Sequence, residues 1–260
     1  MNNHEIDYKI HGEEMQCVEI ELDPNESVIS EPGSFMMMTD GIQMQTMFGD
    51  GNEKGIMGKL FSAGKRMLTG ENLFMTAFTN TASGKRQVTF AAPYSGKIIA
   101  LDLSELGGKV ICQKDSFLCA AKGVSVGIEF QRKLGTGLFG GEGFIMQKLE
   151  GDGMTFVHSG GHVIEKQLQP GEVLKIDTGC IVAFSKDVDY DIQFVGGIKN
   201  TIFGGEGLFF AQLRGPGRVW IQTLPIARLA NRILQFGTTK KGEEGSLLGG
   251  LGRMLDGDGF

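Results

Sequence analysis

The sequence is short of the residues that mark several large classes of protein. Only 6 of its 260 residues are proline and one is tryptophan, and no Pro/Ser-rich stretch indicates a linker between domains. No run approaches the roughly 18 consecutive apolar residues of a membrane span. The first ten residues have neither a basic start nor an apolar core, so we expect no signal peptide. These absences favour one compact cytoplasmic protein.

Basic charge and paired cysteines are scarce as well. The net charge is −6, whereas proteins that bind nucleic acid normally present a basic surface to phosphate, so we expect no nucleic-acid partner. The four cysteines are Cys17, Cys112, Cys119 and Cys180, and none forms a C-x-x-C pair. Three of them lie in apolar, strand-like runs. We therefore expect buried free thiols in a reducing cytoplasm.

Glycine and an internal repeat are what the sequence has in abundance. Its 41 glycines are spread along the chain and indicate many tight turns between short strands. Residues 137–159 and 201–223 align 64 positions apart and share an F-G-G-E-G motif followed by the G-x-G of a hairpin turn. Residues 69–80 form a looser third copy. A fixed period of this kind determines the architecture before any single residue does.

Alternation of apolar and polar residues predicts strands around these repeats. Such alternation is typical of a strand with one face in solvent, and it occurs in residues 18–22, 42–45, 126–130 and 188–194. Each of the last three follows a compact apolar unit with a turn inside it, and these units are residues 27–41, 109–123 and 172–186. The sequence therefore predicts an all-β protein of three tandem repeats that form a pseudo-threefold body.

The repeats predict where the parts of this body begin and end. We place the first β repeat at residues 1–105 with a short helical insert near 55–68, the second at 106–170, the third at 171–223, and a C-terminal helix and tail at 224–260, all in one compact body. The insert and the tail both place apolar residues at helical spacing among glycines. Either they pack on the β core or on a neighbouring subunit, or they dock reversibly on a membrane surface.

The repeats also resemble a known family. The runs at residues 78–103, 101–153 and 215–225 resemble those of bacterial members of the altered-inheritance-of-mitochondria protein 24 family, a mitochondrial biogenesis family, and the resemblance extends from about Tyr8 to Ile233. It implies a fold like that of tryptophan RNA-binding attenuator protein (TRAP-like), with three short double-stranded β-helix units per chain. It also implies a homotrimeric ring and a scaffold near membranes, because the mitochondrial member is associated with inner-membrane organisation. The basic RNA-contacting residues of the attenuator protein have no match here.

Three glutamates recur in the glycine-rich loops: Glu71, Glu142 and Glu206. One interpretation is that each carboxylate accepts backbone N–H bonds from its own loop and fixes the turn. Alternatively, the three gather near the pseudo-threefold axis, where they would bind a hard cation such as calcium or magnesium or line a pore. They are the candidate ligand- or ion-binding residues, and we expect no catalytic residue, no cofactor and no other metal site.

Other motifs point away from catalysis. Residues 135–140 fit G-x-G-x-x-G, but a strand signal follows where a dinucleotide site needs a helix. His158 and His162 span a glycine turn, so their rings need not converge on a metal. No G-x-S-x-G elbow or activated cysteine is present. The run Met36–Met38, with Met44 and Met47 after it, indicates either an adaptable apolar surface or a methionine-rich core or subunit interface.

The absence of a convergent catalytic set favours a non-enzymatic function. The leading hypothesis is a scaffold or interaction protein with a role in membrane-associated organisation, whose partners are further copies of itself, another protein or a membrane surface. The alternative is a small-ligand or metal-ion binding protein that uses clefts between repeats or subunits.

Overall fold

The structure, a computed structural model, describes residues 4–48, 74–132, 144–194 and 209–238. The chain divides into two units, residues 1–225 and 226–260. The described part of the first unit consists of β-strands and two short 3-10 turns, and that of the second is one helix, α1 (Ile226–Thr238). The chain is therefore mostly β, as the alternating pattern predicts.

The strands follow one another at short intervals along the first unit. Those before residue 105 are β1 (Asp7–His11), β2 (Cys17–Leu22), β3 (Ser27–Ser30), β4 (Phe35–Met38), β5 (Ile42–Phe48), β6 (Phe74–Asn80), β7 (Arg86–Ala91) and β8 (Gly96–Asp102). The next are β9 (Lys109–Gln113), β10 (Phe117–Ala121), β11 (Ser125–Arg132), β12 (Phe144–Glu150), β13 (Met154–Gly160) and β14 (Val163–Leu168). The last are β15 (Val173–Asp177), β16 (Ile181–Ser185), β17 (Asp189–Phe194), β18 (Phe209–Arg214) and β19 (Gly217–Gln222).

These strands form four antiparallel sheets. Sheet 1 has the order β1-β2-β7-β4, and sheet 2 has the order β5-β6-β3-β10-β13-β8. Sheet 3 has the order β11-β12-β9-β16-β19-β14, and sheet 4 has the order β15-β18-β17. The six-stranded sheets 2 and 3 thus have the same plan, in which strands from one third of the chain join strands from the next third.

In the middle of each six-stranded sheet, one strand pairing joins the two halves of the sheet, and we call this pairing the seam. In sheet 2, β10 pairs with β3 and places Cys119 opposite Ser30. In sheet 3, β16 pairs with β9 and places Ala183 opposite Cys112. Cys119 and Ala183 are 64 residues apart, as are the two aligned copies of the glycine motif. The two seams therefore join corresponding positions of the chain, although a pseudo-threefold arrangement of the whole body stays a prediction.

Apolar side chains fill the three spaces between neighbouring sheets. Val18, Phe90 and Phe156 are among the fully buried residues between sheets 1 and 2. Cys112 and Trp220 lie in the layer between sheets 2 and 3, and the layer between sheets 3 and 4 includes Phe184, Val219 and Leu213. Burial of these faces is the main favourable free energy of such a stack. Both faces of sheets 2 and 3 are therefore covered.

Several local predictions are confirmed. Strand β2 alternates between half-buried and buried residues, as the pattern at residues 18–22 predicts. The chain turns at the predicted glycines between β12 and β13 and between β18 and β19, where Gly151 and Gly217 have φ of 152° and 144°. The predicted hairpins are wrong, however, because β12 and β13 lie in different sheets, as do β18 and β19. All four cysteines are free thiols. Cys112 and Cys119 are buried as expected, whereas Cys17 and Cys180 are only half-buried.

Two of the predicted segments cannot be compared with the structure, whereas the predicted C-terminal helix can. The helical insert near residues 55–68 and the tail at residues 246–260 lie outside the described residues. The predicted C-terminal helix is present as α1. Within the parts of the chain that the structure describes, no helix combines the length and the apolar character needed to cross a bilayer.

Candidate functional site

The predicted site residues are not in the described part of the chain. Glu71, Glu142 and Glu206 all lie outside the described residues, and so does the G-x-G-x-x-G segment at residues 135–140. Their ligand-binding or turn-fixing roles therefore stay predictions. The candidate site within the described residues consists of two exposed edge strands, β4 and β15, which the repeated glycine motif did not predict.

Strand β4 lies at one edge of sheet 1 and is exposed along its whole length. Within the described ranges it pairs only with β7, through Phe35 with Phe90, Met37 with Thr89 and Met38 with Val88. Its four side chains, Phe35, Met36, Met37 and Met38, are 39%, 54%, 51% and 39% exposed. An edge strand of this kind presents unpaired backbone N–H and C=O groups together with apolar side chains.

Strand β15 lies at the edge of sheet 4 and is the second open edge. Among the described strands it pairs only with β18, which places Lys175 opposite Gln212 and Ile176 opposite Ala211. Val173 is 43% exposed, and the remaining residues of β15 are half-buried or exposed. The Lys175 ammonium lies 5.3 Å from the centre of the Phe210 ring, a distance at which a cation and an aromatic face attract.

The corresponding strands elsewhere in the chain are interior strands. Strands β10 and β16 hold the place of β4 in sheets 2 and 3, and every residue of both is buried. Strand β3, which holds the place of β15, is also buried throughout. Sheets 2 and 3 also have edge strands, β5 and β8 in sheet 2 and β11 and β14 in sheet 3, but these do not correspond to β4 or β15. Among the described residues, the exposure of β4 and β15 therefore comes from the absence of a neighbouring strand and from the uncovered outer faces of sheets 1 and 4.

Three methionines of the methionine-rich segment belong to the exposed edge β4, and the other two lie on β5. Met36, Met37, Met38 and Met44 are exposed, and Met47 is half-buried against the layer between sheets 2 and 3. A methionine-rich core is thus wrong for this segment, since its exposed thioethers form an apolar surface. Flexible, polarisable methionine side chains adapt readily to a partner surface.

A polar groove lies beside β4, and its lysine is already paired with acids, whereas Arg86, which also lines it, donates a hydrogen bond to the Lys85 carbonyl. It has a volume of about 440 Å³ and is lined by residues that include Thr39, Glu21 and Lys85. The Lys85 ammonium lies 2.7 Å from Glu21, 3.4 Å from Asp7 and 3.8 Å from Asp23. Hydrogen bonds to Glu21 and Asp7 raise the pKa of Lys85 above its ordinary value. The acids of the groove thus neutralise its lysine.

Metal ligation finds no support in the described residues. No group of three or more His, Cys, Asp or Glu side chains there is arranged to hold a metal ion. The buried His158 ring packs edge-on against Tyr94, with ring centres 4.5 Å apart, while His162 is exposed. Only one of the two histidines is therefore exposed to solvent, and a shared metal site for them has no support among the described residues.

One half-buried carboxyl, that of Glu31, lies at the start of the loop that leads into β4. Glu31 accepts a hydrogen bond of 2.8 Å from the Gln147 amide on β12. Burial raises the pKa of the Glu31 carboxyl, and the hydrogen bond from Gln147 partly offsets this effect. The contact joins the loop before β4 to sheet 3. No sequence signal identified it, because the two residues are far apart in the chain and have no shared motif.

Helix α1 is amphipathic and basic. Its sequence, IARLANRILQFGT, contains two arginines and no acidic residue. Arg228, Asn231 and Arg232 are exposed polar residues, four or fewer positions apart. Two large apolar side chains, Ile233 and Leu234, are also 62% and 64% exposed. An exposed apolar face beside a basic face is typical of a helix that lies in a membrane interface.

Comparisons with known proteins give one family model and similar proteins from Streptococcus pyogenes. The family model described as mitochondrial biogenesis AIM24 matches residues 8–224. An uncharacterised protein of Streptococcus pyogenes serotype M6 is 33% identical over 223 residues, which are 84% of this chain and 86% of that protein. A crystal structure of a protein from Streptococcus pyogenes superposes with a TM-score of 0.70 at 27% identity, covering 89% of this chain and 99% of that one.

Proposed function

The chain belongs to the mitochondrial biogenesis AIM24 family, and from that premise we propose that it is a non-enzymatic, cytoplasmic scaffold that works by assembling with itself into a homotrimeric ring. The TRAP-like arrangement of three β repeats, expected from the sequence, is part of this proposal. The single observation that supports it best is the exposed apolar edge β4. Its counterparts β10 and β16 are interior strands with fully buried residues.

An exposed apolar edge is unfavourable for an isolated chain. Proteins normally block such edges with charge, proline or a bulge, because an open edge recruits further strands. Strand β4 contains no charged residue and no proline. Its bulge between Phe35 and Met37 recurs in the interior strands β10 and β16, where it does not prevent pairing on the other side. Such an apolar edge is more stable in water when another strand pairs with it. A second copy of the same chain can provide that strand.

A charge introduced at the centre of β4 tests this proposal. We expect Met37→Lys to fold, because Met37 is 51% exposed, but to weaken self-association by at least about 100-fold. Burying an unpaired ammonium in a completed sheet costs about 3 kcal/mol or more, and each 1.4 kcal/mol is about tenfold in affinity. Light scattering coupled to size exclusion measures the mass, and circular dichroism checks the fold.

A matched control separates the edge from the substitution itself. Met44→Lys changes a methionine of similar exposure, 47%, on β5, which occupies an outermost position in its sheet. The control should assemble like the unmodified protein. A monomeric unmodified protein, or equal loss of assembly in both variants, would refute the scaffold proposal.

Membrane association is a second candidate function, which helix α1 supports. Its exposed Ile233 and Leu234 would enter the acyl boundary, and its arginines would attract anionic headgroups. We expect the full chain to sediment with vesicles of phosphatidylglycerol at low salt. Ile233→Glu should reduce this binding at least about tenfold, whereas Asn231→Gln, a polar change on the same helix, should leave it unchanged. Equal binding of all three proteins would exclude α1 as the docking element.

Binding of a small ligand or metal ion stays the alternative prediction. Within the described ranges the 440 Å³ groove beside β4 is lined by both acidic and basic side chains, and its lysine is already paired with Glu21. The glutamates that motivate this alternative lie outside the described residues.

A further inference from the structure

We infer that the two open edges are each other's partners: β15 of one copy adds to β4 of the next copy, antiparallel, with Ile176 opposite Met37. This inference rests on the proposed self-assembly and adds the surface and the register through which copies meet. It follows from the two seams inside the chain, which serve as templates for a third seam between chains.

A β-bulge that three equivalent strands share identifies the residues that correspond to Met37. Strand β10 shifts register against β13 between Phe117 and Cys119, and β16 shifts against β19 between Ile181 and Ala183. Strand β4 shifts against β7 between Phe35 and Met37 in the same way. The three bulges align, so Met37 occupies in β4 the place that Cys119 occupies in β10 and Ala183 in β16.

The position of Ile176 follows from the strand on its other side. Cys112 of β9 lies opposite Gln147 of β12, and Ile176 of β15 lies opposite Ala211 of β18. Gln147 and Ala211 are 64 residues apart and match in the aligned repeats. Ile176 therefore occupies in β15 the place of Cys112 in β9.

The internal seams then determine the pairing between copies. Cys112 lies opposite Ala183 in sheet 3, so Ile176 of one copy lies opposite Met37 of the next. By the same step, Lys175 lies opposite Met38 and Leu174 lies opposite Thr39. Sheets 2 and 3 have identical seam registers, and both lead to the same three pairs.

Joining the edges this way completes the terminal sheets. The combined strand order becomes β17-β18-β15 of one copy followed by β4-β7-β2 of the next, which is the order of sheets 2 and 3, with β1 added outside β2. The seam brings Met37 and Ile176 side by side, and the aliphatic stem of Lys175 covers Met38 while its ammonium stays over Phe210. Contacts of this head-to-tail kind close into a ring or grow into a filament.

Cysteine cross-linking tests the register. Directly opposed residues of an antiparallel pair have Cβ atoms about 4.5–5.5 Å apart, and diagonal ones about 7–8 Å. A disulfide needs roughly 3.5–4.5 Å between Cβ atoms, so small adjustments link only the direct pair. In a Cys17→Ser, Cys180→Ser background, we expect Met37→Cys with Ile176→Cys to give disulfide-linked multimers after mild oxidation. Met37→Cys with Leu174→Cys, the diagonal pair, should stay unlinked.

The outcomes separate the register from the scaffold proposal. Each variant is first weighed by light scattering, and each single cysteine variant is oxidised alone. Assembled protein with links in the direct pair only supports the inference. Assembled protein that links through the diagonal pair, or through Met37→Cys alone, overturns the register while the scaffold proposal stands. A monomer of the unmodified chain overturns both.

Discussion

His158 shows how a single buried side chain makes stability depend on pH. The ring is 1% exposed, and one of its nitrogens, Nε2, bonds to the Tyr94 carbonyl at 3.1 Å. The other nitrogen, Nδ1, has no partner among the described residues. Burial lowers the pKa of His158 from 6.5 to about 4, against the opposing effect of the bond to Tyr94. The folded protein therefore keeps this ring neutral.

Acid should destabilise the protein through this residue. Because the unfolded chain binds the proton more readily, stability is lost as the pH falls from about 6.5 towards 4. His158→Gln should reduce the slope of unfolding free energy against pH in this window by up to about 1.4 kcal/mol per pH unit. Gln222, 64 residues later, already occupies the matching place on β19 with its amide bonded to the Gly179 carbonyl at 2.8 Å. Urea titrations of both proteins across this window, compared at equal pH, would contradict the account if the slopes were the same.

Thr155 is a buried hydroxyl group at a place where the other repeats have valine. Its side chain is fully buried, and its Oγ1 has no partner among the described residues. Thr155 lies opposite Ala120, as Val219 lies opposite Phe184 and Val88 lies opposite Met38. An unpaired buried hydroxyl is a net cost to folding.

Replacing this hydroxyl with a methyl group should therefore stabilise the chain. We expect Thr155→Val to raise the unfolding free energy by about 1 kcal/mol, since it removes an unsatisfied polar group with little change of shape. Thr79→Val is the opposite case, because the Thr79 hydroxyl bonds to Ser27 at 2.8 Å, and it should lower stability. Denaturant melts of the two variants that moved in the same direction would contradict this explanation.

At the scale of elements, local pattern predicted the strands but not their neighbours. Alternation identified β2, and glycines such as Gly151 and Gly217 identified turns, because both signals depend on nearby residues. The strands that these turns join lie in different sheets and do not form the predicted hairpins. The order of strands in a sheet depends on pairings as distant as Cys119 with Ser30. The exposure of the Met36–Met38 run could not be predicted for this reason, since the edge strand β4 and the interior strands β10 and β16 are all mainly apolar. The Glu31–Gln147 contact escaped prediction in the same way.

Hydrogen exchange should distinguish an open edge from a completed one. In the assembled protein we expect the outward amides of β4 and β15 to be protected like those of β10 and β16. In Met37→Lys, the same amides should exchange at least about tenfold faster, because unpaired edge groups open to water at little cost. Strands β10 and β16 provide the internal control, since their protection should be unchanged in the variant. Equal exchange of β4 in both proteins would show that no strand covers it.

At the scale of the molecule, the first and last sheets of the stack have fewer strands than the two six-stranded sheets between them. Sheets 2 and 3 each join three strands from one part of the chain to three from the next. Sheet 1 ends at β4 and sheet 4 ends at β15, which are the two halves of one further seam. The 64-residue spacing in the sequence predicted a repeated unit, and the resemblance supplied the expected number of copies. A repeat in the sequence does not specify the order of strands in a sheet. That order, taken from the structure, identified β4 and β15 as the unpaired edges.

Native mass spectrometry of the freshly purified full chain tests this account most directly. Because each copy provides one β4 edge and one β15 edge, a closed ring leaves neither exposed. We predict a dominant species of three times the 28.1 kDa chain mass, and its loss in Met37→Lys but not in Met44→Lys. A dominant monomer, or a dimer that both variants preserve, would contradict the claim that these two edges join successive copies.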